Sequence, residues 1–259
     1  MKQYDTAACR VLSVKETATD TFDFTLSAGE MAEKAQPGQF VHVLVPGKTL
    51  RRPISICDSN AEDKTLRLVF QIRGEGTRWL AGVRAGESLD LLGPLGHGFQ
   101  LGETNRKVIF VGGGIGVPPL LFAARQFGAN AEVITGFRNA SAAILQQDFA
   151  QSGCRTSLLT DDGSLGEKGF VTARLKTALE EGGVQQVFAC GPTVMLKNVA
   201  ALAKENGVPC QVSLEERMGC GVGACLVCAC KTNRADAMGG YSHVCKDGPV
   251  FRAEEVEWQ

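Results

Sequence analysis

The stretch Val108-Ile109-Phe110-Val111-Gly112-Gly113-Gly114-Ile115-Gly116-Val117-Pro118-Pro119 decides the fold of this chain. A hydrophobic strand runs directly into a glycine-rich turn, and a predicted helix follows it. The N-terminus of such a helix can bind a dinucleotide phosphate. The glycines at 112, 113, 114 and 116 depart from the conventional G-x-G-x-x-G spacing. The turn therefore indicates either a nucleotide site or a glycine turn needed only to pack the helix on the strand.

The same alternation continues from about residue 105 to residue 210. Apolar runs stand at 108–111, 132–135, 156–159 and 187–189, and predicted helices at 119–127, 142–150, 172–181 and 193–205. This β-α-β order predicts a parallel sheet covered by helices on both faces. Cys190-Gly191-Pro192 ends the last of these strands, at the carboxyl edge where open α/β sheets bind ligands. A buried cysteine is the alternative reading there.

The turn after the second strand of this region bears on the choice between NAD and NADP. Gly136-Phe137-Arg138-Asn139 lacks the acidic residue that binds the ribose of NAD in a conventional fingerprint. Arg138 can contact a 2'-phosphate or can be solvated, and the sequence leaves both open.

Residues 1 to about 100 have the pattern of short strands. Predicted strands lie at 8–14, 21–26, 39–45, 53–57, 66–72 and 88–92, and one helical turn lies at 77–83. Glycine, proline, aspartate and asparagine separate these segments. Six strands at regular spacing predict a small antiparallel barrel, since closure of a barrel removes exposed edges.

Cysteines dominate the region beyond residue 210. Cys220, Cys225 and Cys228 have the C-x4-C-x2-C spacing of a plant-type [2Fe-2S] site, and Cys245 can supply the fourth ligand. The intervening glycines let backbone N–H groups approach the sulfides. Zinc is the competing interpretation, although zinc favours paired C-x2-C knuckles, and free thiols are the third. Cys230 is interpreted as an uncoordinated thiol, with an alternative ligand role left open.

A second motif, Arg51-Arg52-Pro53-Ile54-Ser55-Ile56, suits a flavin. An arginine on a strand can bind a pyrophosphate, and a hydroxyl three residues on can lie near the flavin ring. The alternative is an ordinary edge strand flanked by surface arginines. Gly74-Glu75-Gly76-Thr77 then opens a helix whose N–H groups can bind phosphate, or is capped simply by Thr77.

Composition limits the class of protein. The 27 basic and 28 acidic residues give a net charge of −1, which provides no field for nucleic acid or an anionic membrane surface. No apolar run approaches the roughly 18 residues of a membrane span, and no signal core follows Met1. We therefore expect a cytoplasmic protein whose 10 cysteines are reduced thiols or metal ligands. His42, His97 and His243 are isolated and are interpreted as surface or packing residues, with His243 near enough to Cys245 to influence a cluster.

The motifs together resemble a known superfamily. Arg52-Pro53-Ile54-Ser55, Gly93-Pro94-Leu95-Gly96, the glycine-rich turn and Cys190-Gly191-Pro192 are similar to the ferredoxin-NADP reductase superfamily. Within it, the cysteine region resembles the electron-transfer subunits of type B dihydroorotate dehydrogenase. The residues that carry this resemblance are Leu214-Glu215-Glu216-Arg217-Met218-Gly219-Cys220-Gly221-Val222-Gly223-Ala224-Cys225 and Val244-Cys245-Lys246-Asp247-Gly248-Pro249-Val250-Phe251. It covers the whole chain, and the cysteine region is its specific part.

The resemblance implies three lobes and three cofactors. These are an FAD-binding barrel at 1–101, an NAD-binding α/β lobe at 102–210 and a [2Fe-2S] lobe at 211–259. It implies flavin contacts from Arg52, Pro53, Ile54 and Ser55, backbone contacts from Val69, Phe70 and Gln71, and phosphate contacts from Gly76 and Thr77. It implies that Gly112, Gly113, Gly114, Gly116, Cys190, Gly191 and Pro192 frame NAD, and that Cys220, Cys225, Cys228 and Cys245 hold the cluster.

The resemblance also implies a function. Electrons leave dihydroorotate at the FMN of a separate catalytic subunit, cross the cluster and the FAD, and reach NAD⁺, in the biosynthesis of pyrimidines (UMP). The implied assembly is a heterotetramer of two plus two subunits, and no catalytic acid, base or nucleophile is assigned to this chain. One alternative is a flavin and iron-sulfur reductase subunit that serves a sulfite reductase, a hydrogenase or a transhydrogenase. A non-enzymatic flavin-binding or zinc-binding regulator is the other.

Overall fold

The computed structural model describes residues 5–237 and 239–258. The first strands are β1 (Asp5–Ala18), β2 (Thr21–Ser27), β3 (Phe40–Val43), β4 (Arg52–Asn60), β5 (Thr65–Gln71) and β6 (Ser88–Leu95). They close into a barrel in the order β1-β2-β5-β4-β3-β6, with every pair antiparallel. Two short helices, α1 (Glu30–Lys34) and α2 (Glu75–Ala81), lie between the strands. The predicted six-stranded barrel is confirmed.

Alternation along β3 and β4 separates the barrel interior from its outer face. Val41 and Val43 of β3 lie in the interior, together with Ile54 and Ile56 of β4. Successive side chains of a strand point to opposite faces. The residues between them, including His42, therefore face outward, toward the rest of the molecule.

The second part of the chain is the predicted α/β lobe. Its elements are β7 (Val108–Gly113), α3 (Pro118–Ala124), β8 (Ala131–Phe137), α4 (Gln146–Gln151), β9 (Arg155–Thr160), β10 (Glu167–Lys168), α5 (Val171–Glu180), β11 (Gln186–Cys190), α6 (Thr193–Glu205) and β12 (Cys210–Ser213). One core, with Phe110, Phe188 and Phe149, lies under α3 and α4, and a second lies under α5 and α6. Helices thus cover both faces, because both faces of these strands are apolar.

The last part of the chain has little secondary structure and returns to the sheet. It comprises β13 (Ala229–Lys231), β14 (Tyr241–His243) and β15 (Val250–Arg252). β13 pairs with β14, whereas β15 joins the main sheet, whose order is β10-β9-β8-β7-β11-β12-β15. All pairs in that sheet are parallel except β12 with β15. The sequence pattern predicted only parallel strands, because a strand of three residues carries too few positions to show alternation.

Ion pairs join the barrel to the α/β lobe. Arg67 of β5 pairs with Asp23 of the barrel and with Asp148 of α4. Arg125, after α3, contacts Asp58 at 2.7 Å and donates to the Ser59 carbonyl at 2.7 Å. These bonds hold α3 and α4 against β4 and β5. Among the described residues, no helix is long and apolar enough to cross a membrane.

Candidate functional site

The predicted flavin strand is the first half of β4, and its arginine lies against the start of α2. Pro53 and Ser55 are half-buried on the outer face, whereas Ile54 is buried in the barrel. A Cβ on Gly76 would lie only 2.2 Å from Arg52 Nε. Only glycine therefore lets the guanidinium settle over the first turn of α2. The arrangement brings a cation to the first turn of a helix, which is where a phosphate ligand can bind.

The backbone of 69–71 borders the same strand without being paired to it. In the described part of the chain, the β4–β5 ladder runs from Asn60 opposite Thr65 to Ile56 opposite Leu68 and then ends. The strands diverge where the flavin motif begins. Phe70 points into the barrel core, with its ring 5.2 Å from Phe24, so only its backbone is available to a ligand. This geometry agrees with a role for 69–71 through main-chain groups.

The two glycine turns of the α/β lobe lie side by side at the carboxyl edge of the sheet. β7 and β11 are neighbours, with Cys190 opposite Gly112. A Cβ on Gly116 would lie 2.6 Å from the Cys190 carbonyl, so the two turns touch backbone to backbone. Gly114 has a φ of +53° and faces open space. Close packing of the two turns thus explains why residue 116 is glycine. Gly114, in contrast, borders the space available to a nucleotide.

Cys190 and Arg138 lie near this edge in different surroundings. Burial is the main cause that raises the pKa of the Cys190 thiol to about 12. A hydrogen bond with Ser213 lowers this pKa, but burial outweighs it. The thiol is therefore protonated at neutral pH and is not an activated nucleophile. Arg138 is exposed just after β8.

The four cysteines of the C-terminal motif converge on one loop. Cys220 Sγ accepts hydrogen bonds from the N–H groups of Val222 at 3.4 Å, Ala224 at 3.2 Å and Cys225 at 3.4 Å. Burial alone would raise the pKa of Cys220, but these donors lower it to about 7. Cys245 Sγ accepts the N–H of Gly223 at 3.2 Å. The loop thus supplies the amide donors that stabilise thiolates.

The sulfurs form two pairs. Cys220 hydrogen-bonds Cys225, and Cys228 hydrogen-bonds Cys245. Between residues 5 and 258, Met238 excepted, no three His, Cys, Asp or Glu side chains are grouped as a site for a single ion would need. A two-iron cluster takes ligands at each iron, so the two-plus-two arrangement and the amide donors fit a [2Fe-2S] cluster.

The remaining cysteines near the motifs lie in other settings. Cys230 is on β13, opposite Ser242, and burial is the main cause that raises the pKa of its thiol to about 11. Cys57, just after the flavin motif, is completely buried at the junction of the two large lobes. One backbone hydrogen bond lowers the pKa of Cys230, but burial outweighs it, whereas three amide donors surround Cys220.

Two residues that the motifs did not single out connect the barrel to the cysteine loop. Phe40 of β3 packs in a small core with Cys228 and Cys245. His42, two residues on, is fully buried, and burial and then the charges of Arg51 and Arg52 lower its pKa to about 4. The sequence does show that His42 is a polar residue within the apolar run 40–43. It does not show which part of the chain covers the outer face of that strand.

Comparison with known proteins agrees with this geometry. The family model for the iron-sulfur cluster binding domain of dihydroorotate dehydrogenase B matches residues 215–257. The dihydroorotate dehydrogenase B (NAD(+)) electron transfer subunit of Caldanaerobacter subterraneus subsp. tengcongensis is 41% identical over 95% of this chain and 96% of its own. That of Fusobacterium nucleatum is 37% identical over 96% of this chain and 97% of its own.

Solved structures show the same architecture. An NADH-dependent reduced ferredoxin-NADP oxidoreductase, studied for flavin-based electron bifurcation, has a TM-score of 0.87 at 31% identity over 97% of this chain and 90% of its own. The ferredoxin reductase of carbazole 1,9a-dioxygenase has a TM-score of 0.66 at 21% identity over 80% of this chain and 67% of its own, which shows the fold alone. The resemblance inferred from the motifs is confirmed: the chain belongs to the family of dihydroorotate dehydrogenase B (NAD(+)) electron transfer subunits.

Proposed function

We propose that this chain takes electrons from the FMN of a dihydroorotate dehydrogenase catalytic subunit and passes them through a [2Fe-2S] cluster and FAD to NAD⁺. It is the electron-transfer component of an NAD⁺-dependent oxidoreductase, with FAD, the cluster and NAD as its cofactors. When bound, the flavin exchanges an electron pair with nicotinamide and single electrons with the cluster. The pathway served is pyrimidine biosynthesis, and the proposed assembly is a cytoplasmic heterotetramer of two plus two subunits.

The proposed residue roles follow the three parts of the site. Arg52, with Gly76 and Thr77, holds the FAD phosphates, and Pro53 to Ser55 with the backbone of 69–71 line its ring. The turns 112–116 and 190–192 hold NAD at the carboxyl edge. Four thiolates hold the cluster, and the amide donors around them offset their negative charge. The cluster ligands are Cys220, Cys225, Cys228 and Cys245.

One observation supports this proposal: a single strand of the barrel contacts both the proposed flavin strand and the cysteine loop. β3 pairs with the flavin motif, with His42 opposite Pro53 and Phe40 opposite Ser55. On its outer face, Phe40 packs with Cys228 and Cys245. The flavin site and the cysteine loop therefore lie against one short strand, which is the proximity that single-electron transfer between them requires.

Reconstitution tests the proposed function. The chain alone, loaded with its cofactors, should reduce artificial acceptors with NADH but should not oxidise dihydroorotate. Addition of a dihydroorotate dehydrogenase catalytic subunit should give dihydroorotate-dependent reduction of NAD⁺. Orotate production by the isolated chain would refute the division of labour. A cofactor-loaded chain that does not couple to that subunit would instead support a reductase with another partner.

The tip of the cysteine loop is the proposed contact with the catalytic subunit. Leu226 and Val227 are 77% and 56% exposed, although both are apolar and lie between Cys225 and Cys228. Exposed apolar side chains beside a redox centre suit an interface at which an electron crosses. A partner bound at the loop tip would lie closer to the cluster than to the barrel.

A Leu226→Asp variant should bind the catalytic subunit at least tenfold more weakly, because a charge would be buried at the centre of the contact. Titration calorimetry or gel filtration measures the loss. Leu12→Asp is the matched control, since Leu12 is an exposed apolar residue of β1. Equal binding by both variants would remove the loop tip from the interface.

Gly116→Ala should weaken NADH binding about tenfold or more. Its Cβ would lie 2.6 Å from the backbone of Cys190 and Gly191 and would force the two turns of the nucleotide edge apart. Fluorescence titration with NADH measures the effect, and retained FAD shows that the barrel is intact. Gly74→Ala is the control, because Gly74 lies outside this edge, its φ of −177° suits any residue, and a Cβ there meets nothing within 4 Å. Unchanged affinity in Gly116→Ala would place NADH elsewhere.

A further inference from the structure

His42 is a buried histidine whose hydrogen-bonding groups have no partner in the polypeptide. Its exposure is 0%, and neither Nδ1 nor Nε2 hydrogen-bonds any group among the described residues. A buried polar group left unpaired is unfavourable, because it has lost its hydrogen bonds to water. The ring therefore has unused hydrogen-bonding capacity inside the protein.

The ring lies against the cysteine loop. A Cβ on Gly221 would lie 2.6 Å from His42 Nδ1, so the backbone of the loop covers the imidazole directly. Gly221 has a φ of +74° and follows Cys220 in the sequence. The Phe40 ring, which packs with Cys228 and Cys245, meets the His42 ring edge to face at 6.1 Å. Two separate contacts thus place His42 beside the proposed cluster site.

The two charged residues that lower the pKa of His42, Arg51 and Arg52, are both cations. Arg51 donates to the backbone carbonyl of His42 at 3.2 Å, and Arg52 lies on the adjoining strand β4. A third positive charge is unfavourable in this buried position, so the imidazole is neutral and has one N–H donor. No residue within the described ranges accepts this N–H.

We propose that His42 donates a hydrogen bond to a sulfur of the [2Fe-2S] cluster and raises the reduction potential of that cluster. The inference rests on the proposed function, since it assumes a cluster in the loop of Cys220 to Cys228. Reduction adds negative charge to the cluster, and a hydrogen bond to sulfur stabilises that charge. His42 belongs to the barrel, whereas the proposed cluster ligands belong to the C-terminal part of the chain. The potential of the cluster would therefore depend on how the cysteine loop packs against the barrel.

The test compares reduction potentials in the cofactor-loaded complex with the catalytic subunit. His42→Leu removes the donor, and His42→Gln keeps an N–H in the same place. Redox titration followed by electron paramagnetic resonance should show a lower cluster midpoint in His42→Leu, by about tenfold in the ratio of reduced to oxidised cluster, or 59 mV for one electron. His42→Gln should restore part of the shift. His97→Leu, at an exposed histidine, is the control and should show none.

A measurement on the unmodified protein keeps the inference testable if His42→Leu does not fold. Protein labelled with ¹⁵N only in histidine should show a ¹⁵N coupling to the reduced cluster in pulsed resonance spectra. Because His243 also lies near Cys245, the coupling is assigned by two variants: it should be lost in His42→Gln and retained in His243→Gln. An unchanged cluster midpoint in a fully loaded His42→Leu protein, a shift of the FAD midpoint alone, or no ¹⁵N coupling in the unmodified protein would overturn the inference. Unmodified protein without iron would instead refute the proposed function.

Discussion

A Cys225→Ser variant should lose the iron-sulfur absorbance and the dihydroorotate-dependent reduction of NAD⁺, while NADH still reduces the bound FAD. Cys225 is half of one sulfur pair, and its own N–H also donates to Cys220 Sγ at 3.4 Å. In the proposed site, replacing the thiolate would remove one of the two cysteine ligands of an iron. The barrel and the NAD edge do not depend on that sulfur. Visible spectra, iron analysis and the two activities measured on one preparation separate these effects.

Cys230→Ser is the matched control for this experiment. Cys230 lies two residues beyond Cys228, but it sits on β13 opposite Ser242. Serine at this position should leave both iron and coupled activity close to the unmodified level. A full cluster signal in Cys225→Ser would remove Cys225 from the ligands. Loss of iron in Cys230→Ser would make Cys230 a ligand instead.

An Arg52→Ala variant should bind FAD about 100-fold more weakly. A charge-assisted hydrogen bond to phosphate contributes about 1.5–3 kcal/mol, and tenfold in affinity corresponds to about 1.4 kcal/mol. Gly76→Ala should weaken FAD binding as well, because its methyl group would occupy the place of Arg52 Nε at 2.2 Å. Fluorescence titration of the FAD-free protein with FAD measures both constants.

Gly74→Ala separates the displacement of Arg52 from a general effect on α2. Gly74 has an extended φ of −177° and precedes the same helix, yet a Cβ there meets nothing within 4 Å. FAD affinity should therefore be close to that of the unmodified protein. If Gly74→Ala and Gly76→Ala lose the same affinity, the displacement of Arg52 is not the cause. Unchanged affinity in Arg52→Ala would contradict the phosphate role directly.

The sequence predicted those parts of the fold that have a strong local pattern. α6 lies at 193–205, as its periodicity indicated, and all six barrel strands are present. The strands β10 and β15, of two and three residues, were not predicted. Strands this short form because a neighbouring edge is available, and that edge is set by distant parts of the chain.

In the candidate site too, the sequence predicted the local parts and not the contacts between distant parts. Cysteine spacing predicted the sulfurs that the structure brings together, since the ligands lie close together in the sequence. The contact of Arg52 with Gly76 joins two motifs that the sequence shows separately. The position of His42 against Gly221 joins residues about 180 positions apart. No local pattern can reveal such a contact, because it depends on how the lobes pack.

The attachment of β15 to β12 bears on what fixes the cysteine segment to the rest of the molecule. The segment 214–249 leaves the main sheet after β12 and returns to the same edge at β15. The backbone hydrogen bonds of that ladder join main-chain groups and do not involve the sulfurs, whereas Phe251 of β15 packs in the same small core as Cys228 and Cys245. One short strand thus links the edge of the nucleotide sheet to the inner side of the cysteine segment. A change in the packing around Phe251 would therefore be felt at both places, which makes this strand a mechanical connection between the hydride end and the single-electron end of the chain.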